Sequence, residues 1–169
     1  DIRSTKSLAE VIIEHGGTPV TERVGHTFIR TKMRERDAVL GVELAGHFFF
    51  KESYFSEGGP LPAFMIMELM KMEGKPLSVL VAEVKKYEQS GEINSEISKT
   101  ADEIYAELKS MFNDAEIETL DGLTLKYDTW WCNVRPSAND PVMRLNLEAD
   151  TKELMEQKVT EVLAIVRSS

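Results

Sequence analysis

Cysteine is almost absent from this sequence, because Cys132 is the single thiol among 169 residues. No disulfide can form within such a chain, which favours a reducing compartment, and we expect the cytoplasm. The chain also lacks an apolar run of about 20 residues, the length of a membrane-spanning helix, so no membrane partner is expected. It begins at Asp1 without a signal-peptide pattern or a starting Met, which favours a piece of a longer protein.

Positive charge is also scarce. Lys and Arg number 20 against 29 Asp and Glu, and the net charge is -9. Nucleic acid is therefore not an expected partner, because it is bound through clustered Lys and Arg. An acidic protein can still bind an anion in a local pocket, and a short loop that concentrates Arg, Ser and Asn is a candidate for such a pocket.

The residues that are present are typical of a folded protein. Apolar residues make up 42% of the chain and charged residues 29%, a balance that argues against disorder. The length suits one ordinary domain or two small ones. The many acidic residues show no ligand cluster of the usual spacing, so we expect this chain to bind no metal.

The first half of the chain alternates helix and strand patterns, which predicts an α/β domain with a mostly parallel sheet. Apolar residues share one face in each of the first two predicted helices, as Ile29 and Met33 do in the second. The segment 61–72 is apolar on most faces, which predicts burial between other elements. The predicted elements are a helix from Leu8 to Gly16, a strand over 18–24, a helix over 26–36, a buried strand over 38–44, a strand over 48–50, the 61–72 segment and a helix over 77–87.

A polar, turn-rich segment at 89–92 marks a predicted domain boundary, with one domain at 1–90 and a second at 91–169. The order of helix and strand patterns in the second segment predicts a compact α+β domain. Its signals are a capping box at Thr100 and Glu103, a hairpin turn at Asp121-Gly122, strands over 130–134 and 142–147, and a last helix capped by Asp150.

The loop 135–141 joins the last two predicted strands and concentrates groups that bind anions. Arg135 offers a planar fork of donors that suits phosphate oxygens. Ser137 adds a hydroxyl and Asn139 an amide, and successive backbone N–H groups in such a turn can hold an anion. The residues alone leave a second interpretation open, namely a hairpin-like turn with a solvated Arg.

The loop 41–47 follows the predicted buried strand, and ligands of α/β sheets bind at the carboxyl ends of strands. Glu43 carries two acceptor oxygens, which suits two adjacent sugar hydroxyls. His47 is a candidate donor or proton carrier. The alternative interpretation is a strand end with one surface carboxylate and a structurally bonded His.

Taken together, these segments resemble the α-D-phosphohexomutase family, which includes phosphomannomutase/phosphoglucomutase. The stretch GVELAGHFFFKE at 41–52 is similar to the family's sugar-binding loop, G-E-x-S-G-H, and the strand after it. The stretch RPSANDPVMRLNLEA at 135–149 is similar to its phosphate-binding loop, R-x-S-G/N-T-E-P. Gly25-His26-Thr27 and Asp1-Ile2-Arg3 are similar to two further elements of the same domain.

The resemblance implies a partial α/β mutase domain 3 followed by a TATA-binding-protein-like C-terminal domain 4. It implies that the domains preceding them, domains 1 and 2, supply the phosphoserine and the magnesium loop D-G-D-G-D-R. No catalytic residue is then expected in this fragment. Mg²⁺ and glucose or mannose 1,6-bisphosphate would serve the full-length enzyme and would not bind to this fragment alone.

The implied reaction is a reversible phosphoryl shift between O1 and O6 of a hexose phosphate. The family's functional residues carry over to nine positions of this sequence. Those implied to bind the sugar are Glu43, Ala45, His47, His26 and Arg3, and those implied to bind the phosphate are Arg135, Ser137, Ala138 and Asn139.

The sequence departs from the family pattern at several of these positions. Ala45 stands where Ser is common, and Ala138 and Asn139 replace the usual Gly/Asn and Thr. Two alternatives stay open, a phosphoglucosamine mutase fragment and a non-catalytic phosphosugar-binding module. Leu44 argues against the first, because that branch usually carries Gln there.

Overall fold

A computed structural model of the chain describes residues 1–137 and 140–168. Within it the chain divides into two compact units, the first spanning Asp1–Lys86 and the second starting at Tyr87. The first unit combines α-helices with a small β-sheet, in agreement with the predicted α/β class. In the second, every strand lies in one sheet and the two helices cover one face of it.

The first unit contains four α-helices and a small sheet. Its elements are α1 (Lys6–Glu14), α2 (His26–Arg36), β1 (Leu40–Val42), β2 (Phe48–Phe50), a 3₁₀ turn (Lys51–Ser53), β3 (Ser56–Glu57), α3 (Leu61–Glu73) and α4 (Leu77–Val84). The described core of this unit is formed by Ile29 and Met33 on α2 together with Phe49 on β2. The predicted α2 is confirmed with its bounds unchanged.

The sheet of the first unit is antiparallel, in the order β1-β2-β3. The prediction of a mostly parallel sheet is therefore wrong for the described strands. The reason is the short connection between β1 and β2, residues 43–47, because parallel neighbours need a crossover of about a dozen residues or more. β1 is also shorter than the predicted buried strand over 38–44, and Leu40 is 47% exposed.

Residues 18–24 do not form the predicted strand. The backbone N–H of Ile2 donates to the carbonyl of Glu22 at 2.9 Å, but a β-prone run becomes a strand only where a ladder of such bonds continues. The helix predicted over 77–87 ends early, at Val84, because the backbone of Lys85 is extended.

The apolar segment 61–72 is a helix, but its predicted burial within this chain is wrong. No residue of α3 is buried, and Phe64, Met67 and Met72 are each more than half exposed. The helix α4 likewise has no buried residue. Periodicity shows that a segment needs apolar surroundings, but it does not show which residues provide them.

The second unit is a five-stranded antiparallel sheet in the order β4-β8-β7-β6-β5, with two helices. One face of the sheet packs against α5 and α6 around Ile104, Leu108 and Val162. The elements are β4 (Glu88–Glu96), α5 (Ala101–Met111), β5 (Glu116–Glu118), β6 (Leu123–Lys126), β7 (Trp130–Pro136), β8 (Val142–Ala149) and α6 (Lys152–Val166).

Local signals in this unit predicted most of its elements. The capping box at Thr100 and Glu103 is present, and β5 pairs with β6 across the predicted turn. The cap of the last helix is predicted one residue early, because the hydroxyl of Thr151, not the carboxylate of Asp150, accepts from the N–H of Leu154.

Strand β4 contains the turn-rich segment 89–92. The pairing register with β8 shifts between Gln89 and Glu92, so the segment is an irregularity inside a strand. Bulges of this kind explain why a strand can have the composition of a turn.

Candidate functional site

The loop after β1 is a tight turn closed by two backbone hydrogen bonds. The N–H of Gly46 donates to the carbonyl of Glu43 at 2.9 Å, and the N–H of Glu43 donates to the carbonyl of His47 at 3.0 Å. Gly46 has φ +88°, a conformation that a side chain would strain. The turn leaves Ala45 exposed and holds Glu43 at its base, where that residue is 8% exposed.

The carboxylate of Glu43 connects this turn to the start of α2. One of its oxygens accepts from the N–H of Gly25 at 2.8 Å, and Gly25 is the residue before the first helical position, His26. The His26 side chain is exposed. A carboxylate has about four lone-pair sites, so this bond fixes the position of Glu43 without using its full acceptor capacity.

Arg3 is held beside the same turn by Asp1. The carboxylate of Asp1 accepts from the Arg3 side chain at 2.7 and 3.1 Å and from the backbone N–H of Leu44 at 2.9 Å. Arg3 is 7% exposed and is therefore buried beside the turn. The aspartate therefore joins the start of the chain to the Glu43 turn.

His47 closes the turn and pairs with a carboxylate of β3. Its Nδ1 lies 2.8 Å from Oε1 of Glu57. The hydrogen bond to Glu57 and the charge of that carboxylate raise the pKa of His47 above its ordinary value of 6.5, and the nearby Glu43 acts in the same direction. The charge of Arg3 opposes this shift.

The phosphate-loop candidate connects β7 and β8, which form an antiparallel hairpin. The N–H of Ser137 donates to the carbonyl of Val142 at 2.9 Å, which closes the base of the loop. Arg135 lies on β7, is 7% exposed and is therefore not the solvated residue of the alternative interpretation. The predictions for Ala138 and Asn139 concern positions outside the described residues.

Two arginines face each other across this hairpin. Arg135 on β7 and Arg144 on β8 are directly opposite partners in the register. Their guanidinium groups share one carboxylate, because Glu92 Oε2 lies 3.2 Å from Arg135 and Glu92 Oε1 lies 3.1 Å from Arg144. The structure thus gathers two cations at the foot of the loop, on either side of one anion.

Ser137 belongs to the same network. Its hydroxyl accepts from the Arg144 guanidinium at 3.0 Å and from the backbone N–H of Asp140 at 3.3 Å. The carboxylate of Asp140 lies 3.7 Å from Arg144. Asp140 is therefore turned toward the Arg144 cation.

Sequence reasoning identified Arg135 and Ser137 but missed Arg144 and Glu92. Arg144 could have been found by counting outward from the loop, because a hairpin brings residues at equal distance from its turn into register. Glu92 had no such signal, since β4 had not been predicted as a strand. In the described ranges 1–137 and 140–168, no three His, Cys, Asp or Glu side chains are grouped as metal ligands would be. The same ranges contain no helix that could cross a membrane.

Comparison with known proteins assigns both units. Residues 1–87 match the family described as phosphoglucomutase/phosphomannomutase, alpha/beta/alpha domain III. Residues 77–165 match the C-terminal domain of the same family, domain IV. The two matches together cover nearly the whole chain.

Individual relatives agree with these matches. A phosphomannomutase of Methanocaldococcus jannaschii is 40% identical over 166 residues, which cover 98% of this chain and 37% of that protein. A phosphomannomutase of Escherichia coli is 35% identical over 172 residues, 99% of this chain and 37% of that protein. This chain thus spans a little over a third of the length of these relatives.

A solved structure agrees as well. A phosphoglucomutase/phosphomannomutase family protein from Burkholderia thailandensis superimposes with a TM-score of 0.81 at 28% identity, over 98% of this chain and 36% of that one. Sequence motifs, family matches and fold therefore lead to one conclusion. The chain belongs to the phosphoglucomutase/phosphomannomutase family.

Proposed function

We propose that this chain provides substrate-binding groups of a phosphomannomutase/phosphoglucomutase, which transfers a phosphoryl group reversibly between O1 and O6 of a hexose phosphate through a 1,6-bisphosphate. The observation that carries the proposal is the pair of arginines at the foot of the 135–141 loop, in a chain whose two units both match this family. The role is positional, since phosphoryl transfer depends on positioning and on stabilisation of charge.

The second unit would hold the phosphate that does not react. Arg135 and Arg144 present guanidinium donors, and Ser137 is bonded to the second of them at 3.0 Å. Charge-assisted bonds from planar guanidinium groups are the strong contacts of phosphate sites. Ala138 and Asn139, by the resemblance, would add backbone and amide contacts in the loop.

The first unit would hold the sugar. Glu43 would accept hydrogen bonds from two adjacent hydroxyls, and His47, His26 and Arg3 would complete the hydroxyl and charge contacts. Glucose and mannose share equatorial O3 and O4 and differ at O2. A carboxylate bound to O3 and O4 therefore cannot distinguish them, and we expect both sugar phosphates to be accepted. Ala45 would lose the hydrogen bond that a Ser offers at this position.

Turnover would require groups from outside this chain. The phosphoserine and the magnesium loop that the resemblance implies are not found among these 169 residues. The described residues present no set of ligands that fits Mg²⁺. We expect the chain alone to bind hexose phosphates without converting them.

Ligand binding by the chain itself tests the proposal. Calorimetric titration with glucose 1-phosphate and mannose 1-phosphate should detect binding, and Arg135→Ala should weaken it by about 30-fold or more, because a buried charge partner is lost. Arg36→Ala is a matched control, since it removes the same charge from the exposed end of α2. Equal binding by Arg135→Ala and the unaltered chain would contradict the phosphate role.

A coupled mutase assay on a longer protein that contains this chain tests the reaction. Glucose, mannose and glucosamine 1-phosphates should be offered in parallel. Conversion of the first two supports the proposal, and conversion of glucosamine 1-phosphate alone would favour the phosphoglucosamine alternative. Binding without conversion of any of them would favour a phosphosugar-binding module.

A further inference from the structure

Glu92 occupies the donors that a phosphate would need. It lies on β4, opposite Asn146 of β8, and Arg144 lies two residues from Asn146 on the same strand. Successive side chains alternate between faces of a sheet, so Glu92 and Arg144 share a face. The Glu92 side chain extends along that face and reaches Arg135 on β7 as well.

The carboxylate is suited to hold the two arginines together when no ligand is bound. Like charges directly opposite in a sheet repel each other, and Arg135 and Arg144 are such a pair. Each Glu92 oxygen accepts from one of the two guanidinium groups, at 3.2 and 3.1 Å. The arrangement resembles two arginines bridged by two oxygens of a phosphoryl group, with a carboxylate in the phosphoryl position.

The three side chains are not sealed from solvent. The side chains of Arg144 and Glu92 are 25% and 24% exposed, whereas the Arg135 side chain, taken without its backbone, is 9% exposed. A phosphate can therefore approach the guanidinium groups from the exposed side of Arg144 and Glu92. The carboxylate is held by hydrogen bonds from the two guanidinium groups.

We propose that Glu92 is a specificity-determining residue that competes with the phosphoryl group for Arg135 and Arg144 and so weakens phosphate binding. The inference rests on the proposed function, because it assumes that these arginines bind phosphate. The Glu92 carboxylate offsets one of the two guanidinium charges, and the Asp140 carboxylate also lies 3.7 Å from Arg144. Removing the Glu92 charge therefore leaves a more positive site for an incoming dianion. In the proposed mutase, a phosphoryl group that is bound less tightly leaves Arg135 and Arg144 sooner. Faster release suits the bisphosphate, because it must turn over within the site.

The test is titration of the whole chain with inorganic phosphate. Glu92→Gln keeps the side-chain size and removes the charge, and it should bind phosphate about tenfold more tightly than the unaltered chain at low salt. Glu153→Gln is the matched control, with the same change of net charge in the exposed first turn of α6, which follows the end of β8 remote from the loop. It should leave phosphate affinity unchanged.

Thermal unfolding gives a second measurement. Without phosphate, Glu92→Gln should unfold at a lower temperature, because the two arginines lose their shared anion. Added phosphate should raise that temperature more than it does for the unaltered chain, since a tighter ligand stabilises more. Glu92→Asp keeps the charge on a shorter side chain, so its unfolding temperature should lie between those of Glu92→Gln and the unaltered chain. This variant keeps the test informative if Glu92→Gln fails to fold.

Failure of this inference and failure of the proposed function give different results. If Arg135→Ala loses phosphate binding while Glu92→Gln binds no tighter than the unaltered chain, Glu92 is a structural ion pair and the inference is wrong. If neither inorganic phosphate nor glucose 1-phosphate binds to any of these proteins, the proposed function itself is wrong.

Discussion

The indole Nε1–H of Trp131 donates to the carboxylate of Glu148 at 3.0 Å, and both residues are almost completely buried. The two residues are directly opposite partners on β7 and β8. The second Glu148 oxygen accepts from the side chain of Gln89 on β4, also at 3.0 Å. A buried carboxylate is tolerated where hydrogen-bond donors replace water, so this group joins three neighbouring strands.

Replacing Trp131 tests this bond. Trp131→Phe removes the donor from a buried carboxylate, and we expect the free energy of unfolding to fall by about 2 kcal/mol. Denaturation in urea, followed by far-UV circular dichroism, measures the change. A cycle with Glu148→Gln and the double variant separates the hydrogen bond from the lost ring volume. Additive effects of the two changes would show that the bond contributes nothing.

Gly122 supports the position of Arg135. Its φ is +72°, and a Cβ built there would lie 2.4 Å from the carbonyl oxygen of Val134 and 2.6 Å from Cβ of Arg135. Gly122→Ala should therefore destabilise the second unit and also displace Arg135, which would weaken phosphate binding. Overpacking of this kind costs about 1–3 kcal/mol beyond the strain of the backbone.

Gly91→Ala is a matched control for Gly122→Ala. Gly91 lies in the same unit with φ +68°, but a Cβ there meets nothing within 4 Å. The difference between the two variants isolates the steric clash from the cost of the left-handed conformation. Equal losses of stability would contradict the assignment of a packing role to Gly122.

The pairing of His47 with Glu57 predicts a pH dependence. Glu57 raises the pKa of His47 above 6.5, so the pairing stabilises the fold fully below 6.5 and is lost as pH rises through the raised value. Glu57→Gln should lower the pKa of His47, measured from the titration of its ring protons by NMR. Glu52→Gln, which alters another exposed carboxylate of the same unit, should leave the titration curve in place.

The single thiol should be inert in the folded chain. Cys132 is fully buried in the core of the second unit, and burial raises the pKa of its thiol to about 12. Because the thiolate is the reactive species, a thiol reagent at neutral pH should label no cysteine in the native chain and one per chain in urea. Fast labelling of the native chain would show that the β7 region opens readily.

The second unit was more predictable from sequence than the first, because its signals are local. The capping box of α5 and the turn at Gly122 each depend on residues a few positions apart, and the structure confirms both. In the first unit, the strand pairing depends on connection lengths, and burial of α3 depends on residues that its own periodicity does not identify.

The candidate site shows the same division between local and distant contacts. Arg135 and Ser137 fall within one short motif and could be named from it. Glu92 lies 43 residues from Arg135 and 52 from Arg144 in sequence. It belongs to β4, a strand that was not predicted because it contains polar, turn-forming residues and a register shift. No short-range pattern contains such a contact, because it exists only once β4 has paired with β8.

The exposed apolar surface of helices α3 and α4 affects how this chain behaves in solution. Phe64, Met67 and Met72 present aliphatic and aromatic carbon directly to water, and surfaces of that kind are where soluble proteins adhere to one another. We expect concentrated preparations to scatter light, to bind apolar dyes with a rise in fluorescence and to improve with mild detergent.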